Sequence, residues 1–234
     1  MGSMRPCGSA EEGAVKHQFY GRRKSRPLRA VRQDALETVL PQTEIRDLTK
    51  ALNFPFKPEA LWLEIGFGNG DSLAAWHREH PRIGFIGCEP FINGVAHLCK
   101  LVADDDLSNL RIWRDIAQPL LAAIPDGVFE RIYILNSDPW PKKKHHRRRV
   151  IQQDTLDALW RVMRAGGSLI VTTDHQSLAE WTIEQTLRHG KFEWTAKSQA
   201  DWQTPPEGWL PTRYEGKGAT AGRQQSYLIF RKPV

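Results

Sequence analysis

The feature that most confines this 234-residue chain is an apolar run, Ala60-Leu61-Trp62-Leu63-Glu64-Ile65, that breaks at a glycine-rich turn, Gly66-Phe67-Gly68-Asn69-Gly70. A strand entering such a turn must hand over to a helix, and Asp71 and Ser72 stand where they cap one through Trp76 before His80-Pro81 stops it. The alternation then repeats. Residues 83–88 read as a second strand closed by Glu89, residue 91 to about 102 as a helix, 110–113 as a short strand ending at Asp115, and 131–135 as a strand ending in Asn136-Ser137-Asp138. Residues 150–163 have helical spacing that Gly166-Gly167 terminates, 168–173 form another strand, and 176–189 another helix. Strand-like 192–196 and 227–230 flank a Pro- and Gly-rich stretch, 203–222, long enough to be functional or partly disordered. Strands alternating with helices imply a doubly wound, Rossmann-like α/β fold: a mainly parallel sheet with helices on both faces over residues 58–234, preceded by a basic, partly flexible N-terminal arm, 1–57.

Ligands of such folds bind beyond the carboxyl ends of the strands. Glu64, Glu89, Asp115, Asp138 and Asp174 stand at or just past those ends, so acids converge on one rim. A pyrophosphate is repelled there. S-adenosylmethionine carries no phosphate and offers a sulfonium, an ammonium, ribose hydroxyls and an adenine amine, which suit carboxylates. Gly66 and Gly68 allow close backbone approach, Glu89 can accept from both ribose hydroxyls, and Asp115 can accept from the adenine amine. Glu89 and Asp115 read equally as helix caps, and the two roles are compatible.

Charge is the second constraint. The 33 basic and 27 acidic residues give +6, but the excess sits in two acid-free segments. Residues 16–32 hold Lys16, Arg22, Arg23, Lys24, Arg26, Arg29 and Arg32, and residues 142–149 read KKKHHRRR; without these 13 cations, 20 basic stand against 27 acidic residues. A basic arm and a basic loop on an acidic body point to a polyanion, RNA above all, with the arm adding phosphate contacts away from the reacting base. His17, Phe19 and Tyr20 beside the first run can stack on bases or dock on the body. Cys7, Cys88 and Cys99 are odd in number without CxxC spacing, and no run approaches the ~18 apolar residues of a membrane span. A cytoplasmic protein with neither disulfides nor a metal is expected, and Met1-Gly2-Ser3 reads as a remnant ahead of a native Met4.

The sharpest local signal is Asn136-Ser137-Asp138-Pro139-Trp140-Pro141-Lys142, running into the second basic segment. Its prolines remove two amide donors and hold Asp138 and Trp140 extended, a stiff turn like the acid-or-amide, Pro, aromatic turn of nucleic-acid amino-methyltransferases. Together, EIGFGNG (64–70), DPWPKKKHHRRR (138–149), TTDH (172–175) and TRYEGKG (212–218) resemble the bacterial tRNA (guanine-N7-)-methyltransferase family over roughly residues 60–230. Ser137 stands where that family commonly has Pro, and Pro90 follows Glu89 where it usually does not.

The resemblance implies a class I methyltransferase fold, S-adenosyl-L-methionine as methyl donor, S-adenosyl-L-homocysteine as product, and N7 of guanine 46 in the tRNA variable loop as acceptor. It implies cofactor contacts at Glu64, Glu89, Asp115 and Asp138, with Asp138 catalytic. It places substrate contacts at Lys142, Asp174, Thr212, Arg213, Tyr214 and Glu215, with Glu215 accepting from the guanine N1-H and amine. RNA contact falls to Lys144, His145, His146, Arg147, Arg148 and Arg149. The rival reading is an RNA-binding protein with a catalytically silent methyltransferase fold; a small-molecule or protein methyltransferase is disfavoured by the basic runs.

Overall fold

The computed structural model describes residues 18–234; Met1 to Met4, Cys7, Lys16 and His17 lie outside it, as do the side chains of Arg213, Tyr214 and Lys217. β1 (Leu61–Ile65), β2 (Gly84–Cys88), β3 (Leu110–Trp113), β4 (Phe129–Leu135) and β5 (Met163–Thr173) are parallel, and β7 (Ser226–Arg231) runs antiparallel between β5 and the two-residue β6 (Glu193–Trp194). The resulting order, β3-β2-β1-β4-β5-β7-β6, reverses between β1 and β4. Crossovers depart in opposite directions there, which opens a crevice at the carboxyl ends of those two strands.

The sheet is apolar on both faces because each strand feeds two cores with a period of two. Leu63, Ile65, Ile132, Ile134, Leu169 and Val171 pack under α4 (Ala117–Ala123), α5 (Gln153–Val162) and α6 (Gln176–His189), through Leu120, Leu156 and Ala179. Trp62, Phe85, Tyr133 and Ile170 face α2 (Asp71–Glu79) and α3 (Ile92–Asp105), through Leu73 and Leu98. Glu64 shares this second face as its one buried acid on β1, with 2% exposure.

Three stretches take local structure that the sequence did not specify. Gly166-Gly167 does not end a helix: α5 stops at Val162, and β5 begins at once at Met163. Residues 164–167 instead bulge opposite Glu130, with Gly166 at φ +72°, a conformation costly for a side chain. The stretch 203–222 contains α8 (Arg213–Thr220), and α7 (Gln199–Gln203) precedes it behind a capping box of Ser198 and Asp201. Residues 30–43, read as arm, form α1 (Ala30–Thr43), whose Ala35 and Leu40 are buried beside α3, and Ile45 N donates to Ile112 O at 2.8 Å. Among the described residues no helix is long and apolar enough to cross a membrane, and no group of three or more His, Cys, Asp or Glu could hold a metal ion.

Candidate active site

The turn after β1 is bound to β2 by Gly66 N donating to Cys88 O at 2.8 Å. Gly66, Gly68 and Gly70 have φ of +76°, +57° and +78°, so the loop needs glycine at alternate positions. A glycine outside the motif matters as much. A Cβ at Gly94 would stand 2.0 Å from Gly68 O, so α3 reaches the loop only because residue 94 has no side chain. Glu89 completes the arrangement: Oε2 accepts from Gly68 N at 2.8 Å and Oε1 from Phe91 N at 2.9 Å. It therefore both ties the loop and caps α3, and each oxygen retains a second lone pair for a hydroxyl donor. Burial raises its pKa above the ordinary carboxyl value, an effect its two amide bonds oppose and nearby Asp138 augments.

Glu64 lies deeper, lining a small cleft with Gly66, Asn69, Asp71, Asn136 and Thr212. Its Oε2 is buried with no hydrogen-bond partner among the described residues, and burial, followed by Glu89 and Asp71, pushes its pKa up to about 8. Asp115 uses one oxygen, Oδ1, for both Ile116 N and Arg23 Nη2, each at 2.8 Å. Arg23 belongs to the arm, which lies on the crevice rather than apart from it. Ile92 N donates to Arg23 O at 3.0 Å, Ser25 N to Asn93 Oδ1 at 3.0 Å, and Asn93 Nδ2 to Arg26 O at 2.8 Å.

Across the crevice, the turn after β4 carries Asp138 exposed between two strained residues, Asn136 at φ +46° and Trp140 at φ +42°, so Trp140 is left-handed and not extended as its place before Pro141 predicts. Asn136 is held from three sides: its N donates to Thr172 O at 2.9 Å, Nδ2 to Thr212 Oγ1 at 3.4 Å, and Oδ1 accepts from Gln225 at 3.0 Å. The motif contained Asn136 without revealing this role; the available signal was the tolerance of Asn for left-handed backbone.

The basic run is a 3-10 helix, Lys143–Arg148, and its side chains divide. Lys142, Lys144 and Arg147 are exposed. His145 stands edge-on to Trp140 at 5.8 Å, and partial desolvation followed by repulsion from Arg148, Lys144, Lys142 and Arg147 lowers its pKa. His146 packs on Trp181 at 5.3 Å. Arg149, expected on the phosphate, is 2% exposed and fully engaged: Nε donates to Pro139 O at 2.9 Å, Nη1 to Ser177 O at 2.9 Å and Nη2 to Ser177 Oγ at 3.0 Å. It clamps the turn from beneath.

The substrate residues carried from the motif near α8 are also engaged internally. Thr212 Oγ1 caps α8 by accepting from Glu215 N at 3.1 Å. Glu215, 8% exposed, accepts from Trp209 Nε1 at 3.1 Å and Tyr227 OH at 3.1 Å, so its carboxylate closes an aromatic network instead of standing open to a base. Asp174 takes Arg223 Nε at 2.7 Å and abuts Gly218.

A family described as "Putative methyltransferase" matches residues 58–228. The tRNA (guanine-N(7)-)-methyltransferase of Rhodospirillum rubrum is 41% identical over 223 residues, 92% of this chain and 88% of its own length. That of Agrobacterium fabrum is 42% identical over 218 residues, covering 91% and 94%. This chain belongs to the tRNA (guanine-N7-)-methyltransferase family. Solved structures share the fold at low identity. The 16S rRNA methyltransferase KamB aligns with a TM-score of 0.55 at 16% identity over 76% of this chain and 90% of its own. The antibiotic-resistance methyltransferase Kmr gives 0.53 at 15% over 76% and 89%.

Two consequences for this methyltransferase can be measured. Glu64 has its folded pKa raised from 4.5 to about 8, so the folded state holds a proton that the unfolded chain releases between those values. Its contribution to stability is complete below 4.5 and is lost as pH rises through about 8. The melting temperature of the ligand-free protein should fall across that window, and Glu64→Gln should flatten the fall; an equal slope in the variant refutes the assignment. For the clamp, Arg149→Ala should lower thermal stability by about 1–3 kcal/mol, because three partly buried acceptors lose their donors. Arg147→Ala should leave the melting temperature unchanged and reduce the salt slope of RNA binding by about 0.7–0.9. A melting temperature unmoved in Arg149→Ala would return Arg149 to the phosphate-contacting set.

Proposed function

We propose that this protein transfers the methyl group of S-adenosyl-L-methionine to N7 of guanine 46 in the variable loop of tRNA. The observation that carries the reading is the strained turn holding Asp138 at the mouth of the β1–β4 crevice, facing a cluster of acids across it. The residues present fit the cofactor: the unpartnered Oε2 of Glu64 is a buried acceptor awaiting a cationic donor, and Glu89 keeps lone pairs for two hydroxyls. Oδ2 of Asp115, which among the described residues carries neither of the two hydrogen bonds made by Oδ1, is available to an amine. When bound, S-adenosylmethionine supplies an electrophilic methyl carbon.

Guanine N7 attacks through a lone pair and has no proton to lose, so no general base is required of this chain. Its work is alignment and charge. The Asp138 carboxylate stabilises the positive charge that develops on the purine, and the turn keeps it in place through Pro139, Pro141, the three ties of Asn136 and the Arg149 clamp on Pro139 O. Exposed Lys142, Lys144 and Arg147 hold phosphate beside the crevice, and Arg22, Lys24 and Arg26 extend that contact along the arm. We place the arm proper before Ala30 and give α1 onward to the methyltransferase domain. Arg213 and Tyr214 remain assigned to substrate by the motif. The test is transfer of tritiated methyl from S-adenosylmethionine to unfractionated tRNA, followed by nuclease mapping. Label at guanine 46 supports the reading, and label elsewhere or none refutes it.

A further inference from the structure

Methylation beside Asp138 requires a seat for a flat base, and an aromatic corner next to it already holds a flat cation. Tyr20, from the arm, and Trp140, from the turn, meet at 73° with ring centroids 6.3 Å apart. The guanidinium of Arg148 sits in that corner, its Cζ 4.7 Å from the Tyr20 centroid and 4.9 Å from that of Trp140. Among the described residues the buried Arg148 Nε has no hydrogen-bond partner and no carboxylate pairs with this guanidinium. Trp140 reaches the corner only through its left-handed backbone, a strain that a bulky residue adopts when the surroundings impose it. A cation held by ring faces instead of by an anion is open to displacement by another flat cation.

The proposed reaction makes one. As the N7 lone pair attacks the methyl carbon, the carbon–sulfur bond breaks with its electron pair going to sulfur. No proton moves, and the purine takes on the positive charge that the sulfonium gives up. Ring faces that favour a cation therefore bind the transition state and product more strongly than neutral guanine, and only such a difference accelerates the step. We propose that the Tyr20–Trp140 corner is the seat of the reacting guanine, that Arg148 fills it when RNA is absent, and that Arg148 turns to adjacent phosphate when the base enters. This rests on the reading of the protein as a guanine-N7 methyltransferase, and it makes Tyr20 a substrate-contacting residue supplied by the arm.

Two measurements on the full chain test it: isothermal titration with guanosine and with 7-methylguanosine, below neutral pH where the methylated ring keeps its charge, and single-turnover transfer at saturating tRNA. The wild-type protein should bind 7-methylguanosine about ten-fold more tightly than guanosine. Tyr20→Leu should erase most of that ratio and slow transfer by about ten-fold, and Tyr20→Phe should restore both, because the ring face acts and not the hydroxyl. Arg148→Ala should move the two ligands in opposite directions: tighter 7-methylguanosine, since the seat is vacated, and weaker tRNA. A purely structural Arg148 gives no such inversion. A wild-type ratio near one, a wild-type rate in Tyr20→Leu, or weaker nucleoside binding in Arg148→Ala overturns the proposal. Failure of the wild-type protein to methylate any tRNA overturns the functional reading instead, and the nucleoside ratio still reports on the corner.

Discussion

Asp138→Asn should leave the protein folded and lower methyl transfer by at least about ten-fold, the lower end of what losing one preorganised electrostatic contact costs. The fold survives because the carboxylate of Asp138 makes no hydrogen bond among the described residues. The turn is set instead by Asn136, the prolines and Arg149. The rate falls because a neutral amide cannot stabilise positive charge arriving on the purine. Single-turnover rates at saturating cofactor and tRNA, with melting temperatures alongside, decide the matter. A wild-type rate removes the electrostatic role, whereas a large drop in melting temperature would show that the charge holds the turn.

Glu89→Gln should weaken S-adenosylmethionine binding by roughly 1–3 kcal/mol, about five- to a hundred-and-fifty-fold. From the sequence alone, the ligand-free stability of this variant would be expected to hardly move. The two amides on opposite oxygens of Glu89 change that expectation, because glutamine offers an acceptor to only one of Gly68 N and Phe91 N. A modest fall in melting temperature should accompany the loss of affinity, moderated because the variant no longer buries a charge. An unchanged dissociation constant would reduce Glu89 to a helix cap.

The strand-loop-helix at 61–79 and the rim of acids were legible because they follow from local rules: an apolar run buried on both faces, glycines at left-handed positions, and acids at strand ends. The division of labour within KKKHHRRR was not. Spacing in a one-dimensional string cannot show that one short 3-10 helix and its C-cap aim Arg147 outward, fold Arg148 against Tyr20 and bury Arg149 under Pro139. The internal engagement of Glu215 was hidden for a related reason. A carboxylate in a suspected substrate motif looks available until Trp209 and Tyr227, six and twelve residues further along in opposite senses, are seen to converge on it. Gly94 lay outside every motif, and only the approach of Gly68 O shows why it has no side chain. The packing of α1 was hidden by its weak amphipathic pattern and by Pro41 near its end.

The position of β7 has a consequence for how the chain is made. The last strand of the sequence, ending three residues before Val234, lies inside the sheet, with β5 on one side and β6 on the other. Residues 174–225 separate β5 from β7 in the chain, so until β7 emerges the nascent domain has β5 as an open, apolar edge and β6 with no partner strand. Domains generally fold as units during translation, and an unpaired edge is where nascent chains meet one another. Closure of this sheet therefore waits for β7, and the interval between the emergence of β5 and the arrival of β7 is when its open edge is most exposed to pairing with another chain.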